Sequence, residues 1–153
     1  MIGVPNPYNP HQPTGDPAAF VGHQNVFAFI RQHFVGTPLD RPLVVIARRG
    51  LGKSAVLKQL PYQLEDRYRP CIISLGAVEP LTEQALIAAL VDAIRLTLER
   101  SEASTYRLPD WPVQNDLSSQ GLRTWFREEY LDVATSALRG RHLVLCFDDA
   151  HLL

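Results

Sequence analysis

The chain has 153 residues, of which 46% are apolar and 20% charged, and its formal net charge is −1. This length suits one domain with a real core, and the balance is that of an ordinary globular protein. The near-neutral charge offers no basic surface for nucleic acid, no apolar run approaches the roughly eighteen residues that span a bilayer, and the N-terminus lacks a secretory pattern.

Residues Met1 to Ala19 carry Pro5, Pro7, Pro10, Pro13 and Pro17. Proline removes a backbone donor and breaks helices, so this segment is expected to be an extended arm. From Gln24 to Phe34, Val26, Phe27, Ile30 and Phe34 fall on one helical face. Gly36, Pro38 and Pro42 then break the chain. Leu43 to Ala47, "LVVIA", reads as a strand buried on both faces of a parallel sheet. A helix over Ser54 to Leu64 follows, and Pro61 should kink it or end it early.

"CIISL", Cys71 to Leu75, reads as a second buried strand. Thr82 is placed to cap the next helix, whose Leu86, Ile87, Leu90, Val91, Ile94 and Leu98 share one side. Ser101 to Leu117 is a polar connection with Pro109 and Pro112. A further helix carries Leu122, Trp125, Phe126, Tyr130, Val133, Ala134 and Leu138 on one face, and Arg139 and Gly140 are its stop signals. "LVLCF", Leu143 to Phe147, is the third strand, and it runs into Asp148 and Asp149. Strands alternating with helices argue for an α/β fold with a parallel sheet. Three strands make a small sheet of this kind, so the chain is expected to be the front part of a larger domain. Cys71 and Cys146 sit in apolar runs without metal-ligand spacing. They are expected to be buried free thiols, which fits a reducing cytoplasm.

The chemistry concentrates in "ARRGLGKSA", Ala47 to Ala55. A loop between a strand and a helix meets a phosphate chain with backbone N–H groups and the positive end of the helix dipole. Gly50 and Gly52 let the backbone approach closely. Lys53 would reach the β- and γ-phosphates, and Ser54 would hold magnesium by its hydroxyl. Ala47, Arg48, Arg49, Leu51 and Ala55 complete the run around the nucleotide, with solvation the ordinary state of the two arginines. Magnesium held by one hydroxyl needs a carboxylate nearby, usually through water. Asp148, at the carboxyl end of a strand, is placed to supply it, and Asp149 to orient the attacking water. The candidate catalytic set is therefore Lys53, Asp148 and Asp149, with Ser54 and Asp148 at the metal. The five histidines do not cluster.

With these residues in view, the chain resembles the AAA+ and STAND class of P-loop NTPases. "FVGHQNVFAFI", Phe20 to Ile30, is similar to the "F-V-G-R" box that opens many of these ATPases. "NPYNP", Asn6 to Pro10, resembles the lead-in of a bacterial group of them. "LVLCFDDAHLL", Leu143 to Leu153, is similar to the Walker B segment of STAND proteins. The resemblance implies a three-layer P-loop fold with a parallel sheet, incomplete at the C-terminus after Walker B. It also implies ATP and magnesium as cofactors, and a cytoplasmic signalling or regulatory switch that hydrolyses ATP. Phe20, Val21 and Gly22 would line the adenine side. Protein partners or self-assembly would come through segments beyond Leu153. Three departures stand out: Ala47 replaces the first glycine of the loop, His23 replaces the arginine of the box, and Asp149 stands where many members place glutamate.

Two alternatives stay open. Superfamily 2 helicases use A-x-x-G-x-G-K-[ST], which Ala47 to Ser54 matches, and D-E-A-H, close to "DDAH" at Asp148 to His151. Their usual glutamate is replaced by Asp149, and they lack the "FVG" box in this form. A non-hydrolysing nucleotide-binding module is the other alternative, favoured by Ala47, His23 and Asp149.

Overall fold

The computed structural model describes residues 22–36, 42–48, 50–101, 107–112 and 118–152. The proline-rich arm expected over 1–19 lies outside the described residues, as do Phe20, Val21 and Arg49. The chain divides into two compact units, Met1–Leu64 and Glu65–Leu153.

The first unit holds two helices, α1 (Gln24–Gly36) and α2 (Lys53–Gln63). The carbonyl of His23 opens α1 by accepting from the N–H groups of Val26 at 2.9 Å and Phe27 at 3.1 Å. Phe27 and Ile30, three apart on the face expected from the sequence, are buried. On α2, Val56 and Leu60 are buried at a spacing of four, again one face of a helix. Arg31 of α1 donates to the carbonyl and the side-chain oxygen of Gln63, so a guanidinium ties the two helices together. Pro61 stands inside α2, and the helix ends two residues later. A proline this close to the end removes one N–H and leaves most of the ladder intact.

The expected buried strand at Leu43 to Ala47 does not form. The segment has no regular secondary structure, and Val44, Val45 and Ile46 are 70%, 45% and 90% exposed. A β-branched run becomes a strand only when a neighbour supplies the other half of its hydrogen-bond ladder. Among the described residues none pairs with it.

The second unit is built on two parallel strands, β1 (Tyr68–Ser74) and β2 (His142–Asp148), in register from Tyr68 opposite His142 to Ser74 opposite Asp148. The sheet therefore has two strands among the described residues, where three were expected. A short 3₁₀ turn, Leu75–Ala77, leaves β1, and α3 (Glu83–Arg100) follows. Thr82 caps α3 as expected, its hydroxyl accepting from the Ala85 N–H at 3.2 Å. The stripe Ile87, Leu90, Val91, Ile94 and Leu98 is buried. It joins Cys71 and Ile73 of β1 in one core with Leu122, Trp125, Tyr130, Ala134, Ala137 and Leu138.

The last helical run is α4 (Ser119–Thr124), a π-helical stretch (Trp125–Tyr130) and α5 (Leu131–Ala137), without a break. In the middle the Leu131 N–H bonds to the Phe126 carbonyl, five residues back. This wider turn swings Trp125 and Tyr130, five apart in sequence and both buried, closer to one face. Arg139 and Gly140, both left-handed, stop the helix as expected. Arg123 pairs with Glu83 at the start of α3, and this hydrogen bond holds the Glu83 carboxyl below its ordinary range. The connection read as polar also contributes to the core: Leu108 and Trp111 pack against it, and Trp111 meets Trp125 edge-on at 5.5 Å.

Tyr130 is fully buried, and its hydroxyl donates to the Val91 carbonyl at 2.9 Å. Burial pushes the phenol up to about 12, so it remains a neutral donor. Tyr130→Phe keeps the ring and removes the hydroxyl, with this bond and its interaction with Arg95. It is expected to cost about 1 kcal/mol, measured by urea unfolding. Both tryptophans lie in this unit, so their fluorescence follows its unfolding.

Cys71 and Cys146 are free and buried, as expected. Cys71 stands opposite Leu145 and Cys146 opposite Ile72, so the two thiols point to opposite faces of the sheet. They are therefore not arranged for a disulfide.

Candidate functional site

The loop before α2 is a tight turn closed on its own lysine. The Leu51 N–H donates to the Arg48 carbonyl at 3.4 Å. Gly50 and Gly52 are left-handed, at φ 85° and 80°, while Leu51 between them is not. Alternation of hand turns successive N–H groups towards one side and makes an anion-binding concavity. Gly52 caps α2 through its carbonyl, which accepts from the Val56 N–H at 2.9 Å. The N–H groups of the first helical turn, at Lys53, Ser54 and Ala55, have no partner within the helix by its geometry. The Lys53 ammonium donates to the carbonyls of Ala47 at 3.0 Å and Arg48 at 3.2 Å. Two of its three donors are therefore engaged by the loop itself.

This turn gathers Ala47, Arg48, Gly50, Leu51, Gly52, Lys53, Ser54 and Ala55. Arg48 and Leu51 are exposed, Ser54 and Ala55 half-buried. Ala47 precedes the turn in irregular backbone, not at the end of a strand as expected. Gly22, at φ 101°, leads into His23, at φ 58°. A Cβ on Gly52 would lie 3.1 Å from the His23 Nε2. From the residues alone His23 stands only as a departure from the box. The signal was its position directly after Gly22, at the head of α1.

The acidic pair stands at the carboxyl end of the parallel sheet, the edge where such sheets bind ligands. Asp148 is the last residue of β2 and lies opposite Ser74. One of its oxygens accepts from the Asp149 N–H at 3.1 Å. Asp149 is left-handed, at φ 58°, and exposed. Its carboxylate lies over the turn after β1: a Cβ on Gly76 would come 3.2 Å from Asp149 Oδ2. That contact joins residues 73 positions apart and has no sequence signature. His151 sits exposed in a short 3₁₀ turn, Ala150–Leu152, as a surface residue.

The buried thiols are chemically quiet. Burial raises Cys71 and pushes Cys146 up to about 12, so neither is a thiolate nucleophile at neutral pH. Among the described residues, no group of three or more His, Cys, Asp or Glu side chains is arranged to hold a metal. Magnesium makes a smaller demand: one or two hard oxygens, with water and phosphate completing its shell. The Ser54 hydroxyl belongs to the first unit and the Asp148 carboxylate to the second, and each is a hard oxygen donor.

No protein-family model, no curated protein and no solved structure matches the chain. Among the described residues, no helix is long and apolar enough to cross a membrane.

Proposed function

We propose that the chain is the nucleotide-binding part of a P-loop NTPase, taking ATP with magnesium and hydrolysing it as a signalling or regulatory switch. The observation that supports this reading is the loop before α2: two left-handed glycines about Leu51, then Lys53 and Ser54 opening a helix. Such a loop offers backbone N–H groups, a helix N-terminus and an ammonium to one polyphosphate chain. Lys53 would exchange its carbonyl partners, Ala47 and Arg48, for phosphate oxygens. Ser54 and Asp148 would hold magnesium, which would neutralise charge on the phosphates, and Asp149 would orient the attacking water. In this reading the parallel strands belong to a three-layer fold, the setting is the cytoplasm, and nucleotide state governs assembly with protein partners.

Calorimetric titration of the chain with ATP, with and without magnesium, tests the reading, and failure to bind under both conditions would sink it. Asp148→Asn keeps the shape of the side chain and removes its charge. We expect magnesium to strengthen ATP binding to the wild type by about tenfold and to have little effect in this variant, as loss of a charged ligand predicts. An equal magnesium effect in both proteins would remove Asp148 from the metal site. ATP binding without turnover would favour the non-hydrolysing module.

A further inference from the structure

The phosphate-loop reading leaves His23 without a role, although its ring lies against the loop. We infer that His23 is a phosphate-directed residue of the nucleotide site, its imidazole serving the polyphosphate chain and not the base. This inference rests on the phosphate-loop reading.

His23 holds a left-handed backbone, at φ 58°, which side-chain-bearing residues seldom adopt. That conformation follows Gly22 and goes with the capping of α1, whose Val26 and Phe27 N–H groups bond to the His23 carbonyl. The ring lies on the side of Gly52 where a Cβ would project, with Nε2 3.1 Å from that position. Gly52 is the residue from which α2 and its N-terminal N–H groups begin. The ring therefore stands against the residue from which the helix N-terminus begins. An imidazole brings one N–H donor when neutral and two when protonated. Lys53, the residue after Gly52, folds onto the Ala47 and Arg48 carbonyls of the same turn. The family resemblance assigned Phe20, Val21 and Gly22 to the adenine side. The very next side chain is instead drawn to the phosphate end by the left-handed turn that precedes α1.

The test is calorimetric titration of the full chain with magnesium-ATP and, separately, with inorganic tripolyphosphate. His23→Asn removes the ring while keeping a residue that tolerates the left-handed backbone. His23→Gly removes the whole side chain with the same tolerance. Both variants are expected to bind ATP and tripolyphosphate about tenfold more weakly than the wild type, the effect of losing one hydrogen bond to a charged group. Unchanged affinity for both ligands would overturn the inference. So would a loss confined to ATP, which would move the ring to the base or ribose. Lys53→Ala separates the two levels. If the wild type binds neither ligand, or Lys53→Ala binds as well as the wild type, the phosphate-loop reading falls and the inference falls with it. If Lys53→Ala loses binding while both His23 variants keep it, only the inference falls.

Discussion

Lys53→Ala is expected to weaken ATP binding by about 100-fold or more, as loss of two hydrogen bonds to charged phosphate oxygens implies. The ammonium adds a full charge to the backbone N–H groups of the turn, and charge-assisted bonds are about twice as strong as neutral ones. Its present partners, the Ala47 and Arg48 carbonyls at 3.0 and 3.2 Å, are weaker ligands for a cation than phosphate. Exchange of partners on binding is therefore favourable. The cost to the fold should be small. Lys53 is half-buried at the start of α2, and alanine is a good helix former. Calorimetry gives the affinity, and far-ultraviolet circular dichroism checks that α2 is retained. Binding within about threefold of the wild type, under 1 kcal/mol, would show that the loop does not hold phosphate through this lysine. Gly52→Ala would be a poorer test. It would strain a left-handed backbone and crowd His23 together, so a loss of binding would have two causes.

The largest stability effect is expected from Ile94→Ala. Ile94 is fully buried at the middle of the apolar stripe of α3, in the core shared with Cys71 and Ile73 of β1. Truncation removes buried methylenes and leaves a cavity that the surrounding helices fill only in part. Such changes cost about 2–5 kcal/mol, against a total of about 5–15 kcal/mol for a typical domain. Urea unfolding followed by tryptophan fluorescence measures it, because Trp125 belongs to the same core and Trp111 packs against it. Leu96→Ala on the same helix is the control. Leu96 is 52% exposed, and a surface truncation should stay within about 0.5 kcal/mol. Equal costs at the two positions would mean that α3 is turned differently from the arrangement described.

The helices were legible because their signals are local. In α3, Thr82 and the stripe from Ile87 to Leu98 lie within one stretch of chain, and cap, period and burial agree. The same holds for Phe27 and Ile30 on α1. The π-helical stretch was not legible, because an α-helical period already accounted for its apolar residues. Leu108 and Trp111 were hidden in a segment whose composition is polar, and only the core they pack against makes them part of it. Within the candidate site, the glycines, Lys53, Ser54 and the strand-terminal Asp148 could be read directly. The positions of His23 beside Gly52 and of Asp149 over Gly76 could not, since each depends on two segments meeting.

The amino-acid sequence by itself determined the helices, the residue types of the loop before α2 and the acidic end of β2, because each depends on neighbours a few residues away. Only the tertiary structure decided which apolar runs became strands. Tyr68 to Ser74 and His142 to Asp148 found each other in parallel register. Leu43 to Ala47, just as β-branched at its centre, has no strand pairing among the described residues and lies largely exposed. A helix satisfies its backbone within itself, whereas a strand depends on a partner that no local pattern names.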